Sequence, residues 1–401
     1  MLQPDEARAI VLRHARTLEP EWLNLEWAGE RILARDLIAD VDLPPFDAAT
    51  MDGYAVIHDD VTRERPVLAS GFAGDDTSVT ISRGTASKIM TGAPLPRGAT
   101  AVIQVERTSS RDGQVTFEQP VVGAGDNIRP IGADMRRGDL LVSAGSTLRP
   151  AEIGLLASLG HARVLVGRRP RVAVISTGNE LVDPHATPGP GQIRDSNRFS
   201  LAVAARCAGA EVVIQRHIPD DEQALRAGLR EAIGNCDVVL TSGGVSMGDR
   251  DLVKGLLGEM AEVHFRRVFM KPGKPLNFAT AGNTLIFGLP GNPVSSLVAC
   301  MLFVQPALRV LQSAAPDQYP CASVTTSHAI TPSDRIEYQR AVVTLDASGS
   351  LVARNTGVQM SARLMSFVGA NALLIVPPRA EEYPAGTRLD ALLLAAPVEF
   401  R

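Results

Sequence analysis

Hydrophobic and polar positions change their period several times along the chain, and each change marks a segment. Residues 3–19 alternate apolar and charged positions at helical spacing behind Pro4 and Asp5. This predicts an amphipathic first helix, because apolar residues every three to four positions share one face and proline is tolerated in the first turn. Residues 30–41 scatter Ile32, Leu33, Leu37, Ile38 and Val41 among charges. From Leu43 the chain turns rich in Gly, Pro, Thr and Val, with β-like runs at 101–105 and 115–117. A small β domain over 43–125 is expected. A glycine-punctuated stretch and a short helix at 151–159 follow.

The clearest block is 170–312. Strand-like runs at 172–176, 211–216, 238–241, 263–269 and 284–288 are separated by helical patterns at 198–207, 221–233 and 249–257, with another at 293–311 after the last strand. Such alternation predicts right-handed βαβ units and a mostly parallel sheet covered on both faces. After Ala314-Ala315-Pro316, strand patterns return as far as residue 401, and 313–324 reads as a linker into a small all-β domain. The fold class is therefore α/β plus β in several domains. At 401 residues, with about 150 per domain, two to four are expected.

Composition narrows the function. The chain is 45% hydrophobic and 21% charged, as in globular proteins, and at 4% aromatic its cores must be mostly Leu, Val, Ile and Ala. A net charge of -4 lacks the cationic surplus of a nucleic-acid binder. A local basic site on an acidic body can still take an anionic substrate. Cys207, Cys236, Cys300 and Cys321 form no C-x-x-C pair, and they read as buried free thiols of a reducing compartment. The histidines show no zinc spacing. The N-terminus lacks the basic and apolar regions of a signal peptide. No apolar run reaches the roughly 18 residues of a membrane helix, so no membrane is expected and a cytoplasmic location is.

In a parallel sheet, ligands sit beyond the carboxyl ends of the strands. Three such ends carry suggestive loops: Ser176-Thr177-Gly178-Asn179-Glu180-Leu181, then Thr241-Ser242-Gly243-Gly244 running on to Asp249 and Asp251, then Gly288-Leu289-Pro290-Gly291-Asn292-Pro293 with Ser295 behind it. Glycines let backbone N–H groups approach a phosphate. Asn292 and Pro293 have the form of an N-cap and first helical residue, whose following N–H groups would face an oxyanion. Thr177 and Glu180 also have capping-box spacing, a purely structural alternative. No G-x-x-x-x-G-K-[ST] occurs, which excludes a P-loop hydrolase. Lys271-Pro272-Gly273-Lys274-Pro275 holds two ammonium groups close together, with Arg266 and Arg267 just before. An anion between the lysines would relieve their repulsion; the plain alternative is a solvated turn. Asp249 and Asp251 beside a phosphate loop suit Mg²⁺, a hard, oxygen-seeking cation. Asp220 and Asp221 follow a strand, and Asp221 reads as the cap of the next helix.

These residues resemble a known family. Pro44-Pro45-Phe46-Asp47-Ala48-Ala49-Thr50-Met51-Asp52-Gly53-Tyr54-Ala55 is similar to the signature of the MoeA-type molybdopterin molybdenumtransferases. So are Met90-Thr91-Gly92-Ala93-Pro94-Leu95-Pro96, Asn127-Ile128-Arg129 with Gly132-Ala133-Asp134, both glycine loops, Lys271 to Pro275, and Gly288 to Ser296. Seven motifs in family order span nearly the whole chain.

The resemblance implies a fold. A molybdopterin-binding α/β domain would occupy 169–313, an inserted β domain 43–125, an elongated linker and dimerisation domain 1–42 with 126–168, and a C-terminal β-barrel 319–401. It also implies an activity: molybdate is inserted into adenylylated molybdopterin, with Mg²⁺-dependent AMP release, in a cleft shared across a homodimer. A molybdopterin adenylyltransferase is a further partner it suggests. Asp52, Thr91, Arg129 and Asp134 match the insertion side of that cleft. Glu180, Asp220, Asp251, Lys271, Lys274, Pro290 and Pro293 match the α/β side, and Asp249 lies in the same motif. Asp52, Glu180, Asp251, Lys271 and Lys274 are the catalytic candidates, and Glu180, Asp249 and Asp251 the Mg²⁺ ligands. Thr177, Gly178, Ser242, Gly243, Gly244, Arg267, Asn292 and Ser295 join the substrate-binding set through their motifs. Arg335 and Ser361 would contribute from the barrel.

The chain also departs from the family pattern. Thr50 stands where serine is frequent, Asn179 where aspartate is, and Arg267 where some members carry lysine. Asp334-Arg335-Ile336-Glu337-Tyr338 and Gln359-Met360-Ser361-Ala362 match G-R-x-E-F and Q-x-S-G only loosely. Met360 and Met365 read as core side chains. Two rival functions remain: adenylyl transfer from ATP to molybdopterin, for which only the α/β block is needed, and a non-catalytic gephyrin-like scaffold.

Overall fold

The computed structural model describes residues 1–71, 79–244 and 252–399. Contacts divide the chain into two compact units, one of residues 1–35, 144–150 and 163–401, the other of 36–143 and 151–162. The four-part division expected from the sequence is finer than this one.

The first unit is built on a six-stranded sheet. From edge to edge its strands are Glu211–Ile218, Arg171–Thr177, Val238–Ser242, Thr284–Leu289, Pro275–Ala281 and Glu262–Arg267. The first four are mutually parallel, and Pro275–Ala281 runs antiparallel to both its neighbours. The sequence pattern did not reveal that reversed strand, which begins at the proline closing the Lys271–Pro275 turn. A first-residue proline is tolerated because the ladder bonds start after it.

The central strands are apolar on both faces, and the period of two sorts the two sides. Val172, Val174, Val238, Leu240, Leu285 and Phe287 join one core with Leu201, Ala205, Val298 and Val304. Ala173, Ile175, Val239 and Ile286 join the other with Leu225, Leu229, Val253 and Leu257. The helices Asn197–Cys207 and Pro293–Ala299 therefore cover one face, and Glu222–Asn235 and Leu252–Met260 the other. Asp221 caps its helix as expected, accepting the Ala224 N–H at 2.8 Å. The N-terminal helix, Pro4–His14, is shorter than the pattern predicted and packs through Ala7 and Val11 into the first core.

Helix Pro293–Leu311 corrects one expectation. It has the length and apolar content of a membrane span, but 72% of the stretch is buried inside the molecule. Its turn Cys300–Val304 widens to a π-helix just ahead of Pro306. Pro306 has no N–H to give and would clash in a regular turn.

The cysteines need a second correction. Cys236 and Cys300 are buried, but Cys207 and Cys321 are exposed. Burial pushes the Cys236 thiol up to about 11 and Cys300 up to about 12. Thiolate is the reacting form, so a thiol reagent at pH 8 should label two of the four cysteines in the native protein and all four after unfolding. Mass spectrometry of the labelled peptides checks this. Rapid labelling of Cys300 in the folded chain would contradict the packing.

The C-terminal part closes on itself. Strands Ile336–Leu345, Leu351–Asn355, Cys321–Thr326, Arg388–Leu393 and Ala372–Val376 pair in that order, and the last pairs back to the first. Alternate residues (Ala341 and Val343, Leu374 and Val376, Leu389 and Ala391) fill this five-stranded barrel.

The second unit holds another six-stranded sheet, with Gly53–Val56 between Ala101–Gln104 and Ala86–Ile89. A side chain on Gly53 would stand 2.0 Å from the Ile103 carbonyl oxygen. The glycine of the Asp52-Gly53 pair thus allows close backbone approach inside a sheet, beyond the requirement of a turn.

Candidate active site

Three parallel strands end side by side, with Ser176, Ser242 and Leu289 as neighbours in register. The loops after them leave from one edge of the sheet. In the first loop Gly178 has φ of 140°, and the Glu180 carboxylate curls to 2.5 Å from where a Gly178 Cβ would stand. The His217 Nε2 lies 2.9 Å from the Gly178 carbonyl oxygen. The Asn179 N–H donates to Asp220 Oδ2 at 3.3 Å, and the Asp220 N–H donates to Asn179 Oδ1 at 3.1 Å. An aspartate at 179 would place a second negative charge beside Asp220, which the amide avoids. Thr177 ends its strand and no helix follows, so the capping-box alternative is overturned. Its buried hydroxyl has no hydrogen-bond partner among the described residues.

In the second loop Gly243 and Gly244 both have positive φ, at 95° and 63°. A Cβ on Gly243 would meet the Thr177 carbonyl oxygen at 2.4 Å. The two loops therefore touch through bare backbone. Asp249 and Asp251 lie outside the described residues.

The third loop brings a correction. Asn292 is the N-cap and Pro293 the first helical residue, as expected. The first N–H of the helix start, however, goes to the protein rather than to an oxyanion. Pro293 has no N–H, and the Val294 N–H donates to the Ser361 carbonyl oxygen at 3.0 Å. The Asn292 amide also donates to Ser361 Oγ at 3.2 Å. A barrel loop has taken the first donor of that turn.

Two cavities open here. One of about 510 Å³ is lined by Thr177, Glu180, Ser242, Gly243, Pro290, Asn292 and Pro293 among others. The other, of about 640 Å³, is lined by Lys271, Lys274, Pro290, Asn292, Ser295, Arg335 and Ser361, with the rest of the Lys271–Pro275 turn. They share Pro275, Pro290 and Asn292 as a common wall. Most of the sequence-derived α/β-side residues thus come together, and Arg335 and Ser361 join them. Gly178, Gly244 and Asp220 stand behind the first cavity without lining it, and Arg267 lines neither.

The electrostatics add a third possibility to the bound anion and the solvated turn: a carboxylate of the protein itself stands beside one of the two lysines. Lys271 Nζ sits 3.3 Å from Glu337 Oε1, and Glu337 is almost wholly buried. The Arg335 guanidinium forks onto Asp334 through two 2.7 Å bonds, which hold the Asp334 carboxyl below its usual range. Lys274 makes no ion pair among the described residues, and its charge helps Arg335 to lower the Asp334 carboxyl. Behind it, fully buried Arg340 donates to Ser366 Oγ at 3.0 Å and to the Met360 carbonyl at 3.3 Å. Burial pushes its guanidinium down to about 10, so it stays charged at neutral pH and tethers the loop carrying Ser361. Met360 and Met365 are 62% and 68% exposed, which corrects their reading as core side chains. Met360 sits on a loop and Met365 in the short 3₁₀ turn Leu364–Phe367, where a strand-based pattern gives no guidance.

The insertion-side residues lie in the second unit. Asp52 Oδ1 accepts both the Thr91 N–H and the Thr91 hydroxyl at 2.7 Å, and these bonds hold its carboxyl below the usual range. A carboxylate lowered in this way stabilises the fold above the ordinary Asp value and loses that contribution as pH falls through the native one. Thr91→Val keeps the backbone bond and should raise the Asp52 pKa part of the way back, read by NMR titration. An unchanged value would mean that the hydroxyl is not bonded. Arg129 and Asp134 form an ion pair with each other.

The sequence reading missed Glu337, Asp195 and Asn197. Glu337 stands in the strand Ile336–Leu345 with Gln339 and Arg340 close by, and nothing in its local spacing marked it as a partner of Lys271. Asp195 and Asn197 stand just before the helical pattern at 198–207 and carry no spacing that points to loop contacts.

A strand-end cleft opening beside a lysine- and arginine-walled cavity, with a closed barrel completing that wall, defines a multidomain α/β protein suited to phosphate and oxyanion chemistry. The family models agree. "MoeA N-terminal region (domain I and II)" matches residues 2–160, "Probable molybdopterin binding domain" 173–310 and "MoeA C-terminal region (domain IV)" 324–394. A molybdopterin molybdenumtransferase of Haemophilus influenzae is 35% identical over 96% of this chain and 97% of its own length. A gephyrin of Dictyostelium discoideum is 33% identical over 98% of this chain and 62% of its own length. The crystal structure of a molybdopterin biosynthesis MoeA protein from Pyrococcus horikoshii superposes with a TM-score of 0.86, at 30% identity, over 99% of this chain and 100% of that one. The chain belongs to the MoeA family of molybdopterin molybdenumtransferases.

Proposed function

We propose that this protein inserts molybdate into adenylylated molybdopterin, with Mg²⁺-dependent release of AMP. Family membership supports a transferase of molybdenum cofactor biosynthesis. The finer reading is carried by the two cavities that share one wall. The strand-end cavity suits the phosphate-bearing substrate, since the unpartnered Thr177 hydroxyl and the bare Gly243 backbone line it. The neighbouring cavity suits a tetrahedral dianion, since Lys271, Lys274 and Arg335 line it.

Both substrates are anions and repel. Lys274, which makes no ion pair among the described residues, offsets this together with Lys271 and Arg335, which are held in place by Glu337 and Asp334. Cations fixed in advance lose little entropy when the anion arrives. The residues position and screen; no nucleophile is required.

The described donors fit Mg²⁺. Glu180 lines the cleft beside the unpartnered Thr177 hydroxyl, an all-oxygen setting. No group of three metal-binding side chains exists among the described residues. Mg²⁺ commonly takes one or two carboxylates plus substrate phosphates. Glu180 would hold it with Asp249 and Asp251, and the ion would polarise the phosphoanhydride. In this reading the protein works in the cytoplasm as a homodimer, with Asp52, Thr91, Arg129 and Asp134 of one subunit completing the cleft of the other. A molybdopterin adenylyltransferase would supply its substrate.

Purified protein should release AMP only when adenylylated molybdopterin, Mg²⁺ and molybdate are all present. ATP consumption with free molybdopterin would instead mark adenylyl transfer. A stoichiometric protein partner without any transfer would mark a scaffold.

A further inference from the structure

The three strand-end loops are held together from one short segment. Asp195 is 2% exposed and accepts the Ser176 hydroxyl at the end of the first strand. Its charge is matched by Arg198, whose Nε lies 3.0 Å from Asp195 Oδ2. Two residues on, the Asn197 amide nitrogen donates to Ser242 Oγ at 2.7 Å and to the Gly291 carbonyl oxygen at 2.7 Å. Ser242 ends the second of the three strands and Gly291 follows the third. Ser242 Oγ in turn reaches the Pro290 carbonyl oxygen at 3.4 Å. Asp195, Ser196 and Asn197 all line the 510 Å³ cavity.

This arrangement exceeds what capping a helix requires. Ser196 is the N-cap of Asn197–Cys207 and makes no side-chain cap bond; Asp195 Oδ1 accepts the Arg198 N–H at 3.1 Å in its place, and Asn197 takes no part in the capping. Both N–H groups of the Asn197 amide are used to bridge loops, and its oxygen is left without a partner among the described residues. A buried oxygen without a partner loses its hydration and regains nothing for it. The amide therefore keeps this orientation at a cost, with both donors on the loops.

We infer that Asn197 is a positioning residue for the transfer reaction: it sets the Ser242-Gly243 and Pro290-Gly291 loops at the separation that the phosphate-bearing substrate requires. The inference rests on the function proposed above. Asn197 acts through the loops. The molybdate cavity lacks Asn197 among its lining residues, so molybdate affinity should not depend on it.

Asn197→Asp keeps the size but replaces the donor with a carboxylate that faces the Gly291 carbonyl. It should lower kcat/KM for adenylylated molybdopterin about 10²-fold, the scale of a 1 Å misplacement. Molybdate affinity, measured by calorimetry, should stay at the wild-type value. Ser242→Ala removes one of the two bonds, should fold normally, and should show a smaller loss in the same parameter. Amide hydrogen exchange should rise at 242–244 and 288–292 in Asn197→Asp and not in the barrel. Wild-type kcat/KM in both variants, or an equal loss of substrate turnover and molybdate affinity, would overturn the inference. Should the wild-type protein transfer nothing, the proposed function falls by itself. The exchange data then decide: local deprotection sustains the positioning role, and unchanged exchange overturns it.

Discussion

Lys271→Ala should lower molybdate-dependent AMP release about 10²–10³-fold, the scale seen when one fixed donor is removed from a charged reaction centre. The fold should survive, because the Lys271 side chain is 52% exposed and Arg340 remains as a countercharge to the buried Glu337. The loss should lie mostly in molybdate affinity, since the ammonium borders the cavity assigned to the oxyanion. Lys271→Arg should recover only part of it. A planar fork does not reproduce a point charge held 3.3 Å from Glu337. Steady-state AMP release across a molybdate titration checks both variants. Wild-type kinetics in Lys271→Ala would remove the lysine wall from the account.

Glu180→Gln should have the next largest effect. It keeps the shape but removes the charge of the one described carboxylate among the metal candidates, which lines the strand-end cavity. AMP release should fall about 10²-fold, as for a displaced orienting group, and the Mg²⁺ concentration needed for half-maximal rate should rise. Gly178→Ala is the companion test. Its Cβ would stand 2.5 Å from the Glu180 carboxylate and push it aside, at a φ of 140° that side chains rarely adopt. Both variants should bind molybdate as the wild type does. An unaltered Mg²⁺ dependence in Glu180→Gln would separate Glu180 from the metal.

Much of this architecture was legible in the sequence, because single periods dominate the central elements. Val172, Val174, Val238 and Leu240 face one core, Ala173, Ile175 and Val239 the other, and doubly buried strands read as short apolar runs. Glycine loops at strand ends located the cleft, because close backbone approach leaves few residue choices. The reversed strand Pro275–Ala281 was hidden behind a turn rich in proline. The pairing of Lys271 with Glu337 was hidden for another reason: 66 positions separate them, and only the bridge between Lys271 and the first barrel strand brings them together. The same holds for Val294 and Ser361, whose contact takes the first N–H of a helix start that local spacing left open to an anion. Exposure of Met360, Met365, Cys207 and Cys321 likewise depends on what packs over each surface, which residue type alone does not state.

The central claim is that two adjacent cavities bring an adenylylated pterin and an oxyanion together. The most direct test measures AMP release and molybdenum incorporation in the same reaction, with purified protein, adenylylated molybdopterin, Mg²⁺ and molybdate. Equimolar AMP and incorporated molybdenum, with no AMP released when molybdate is omitted, is the expected result. AMP release that ignores molybdate, or none with molybdate or tungstate, would contradict the account.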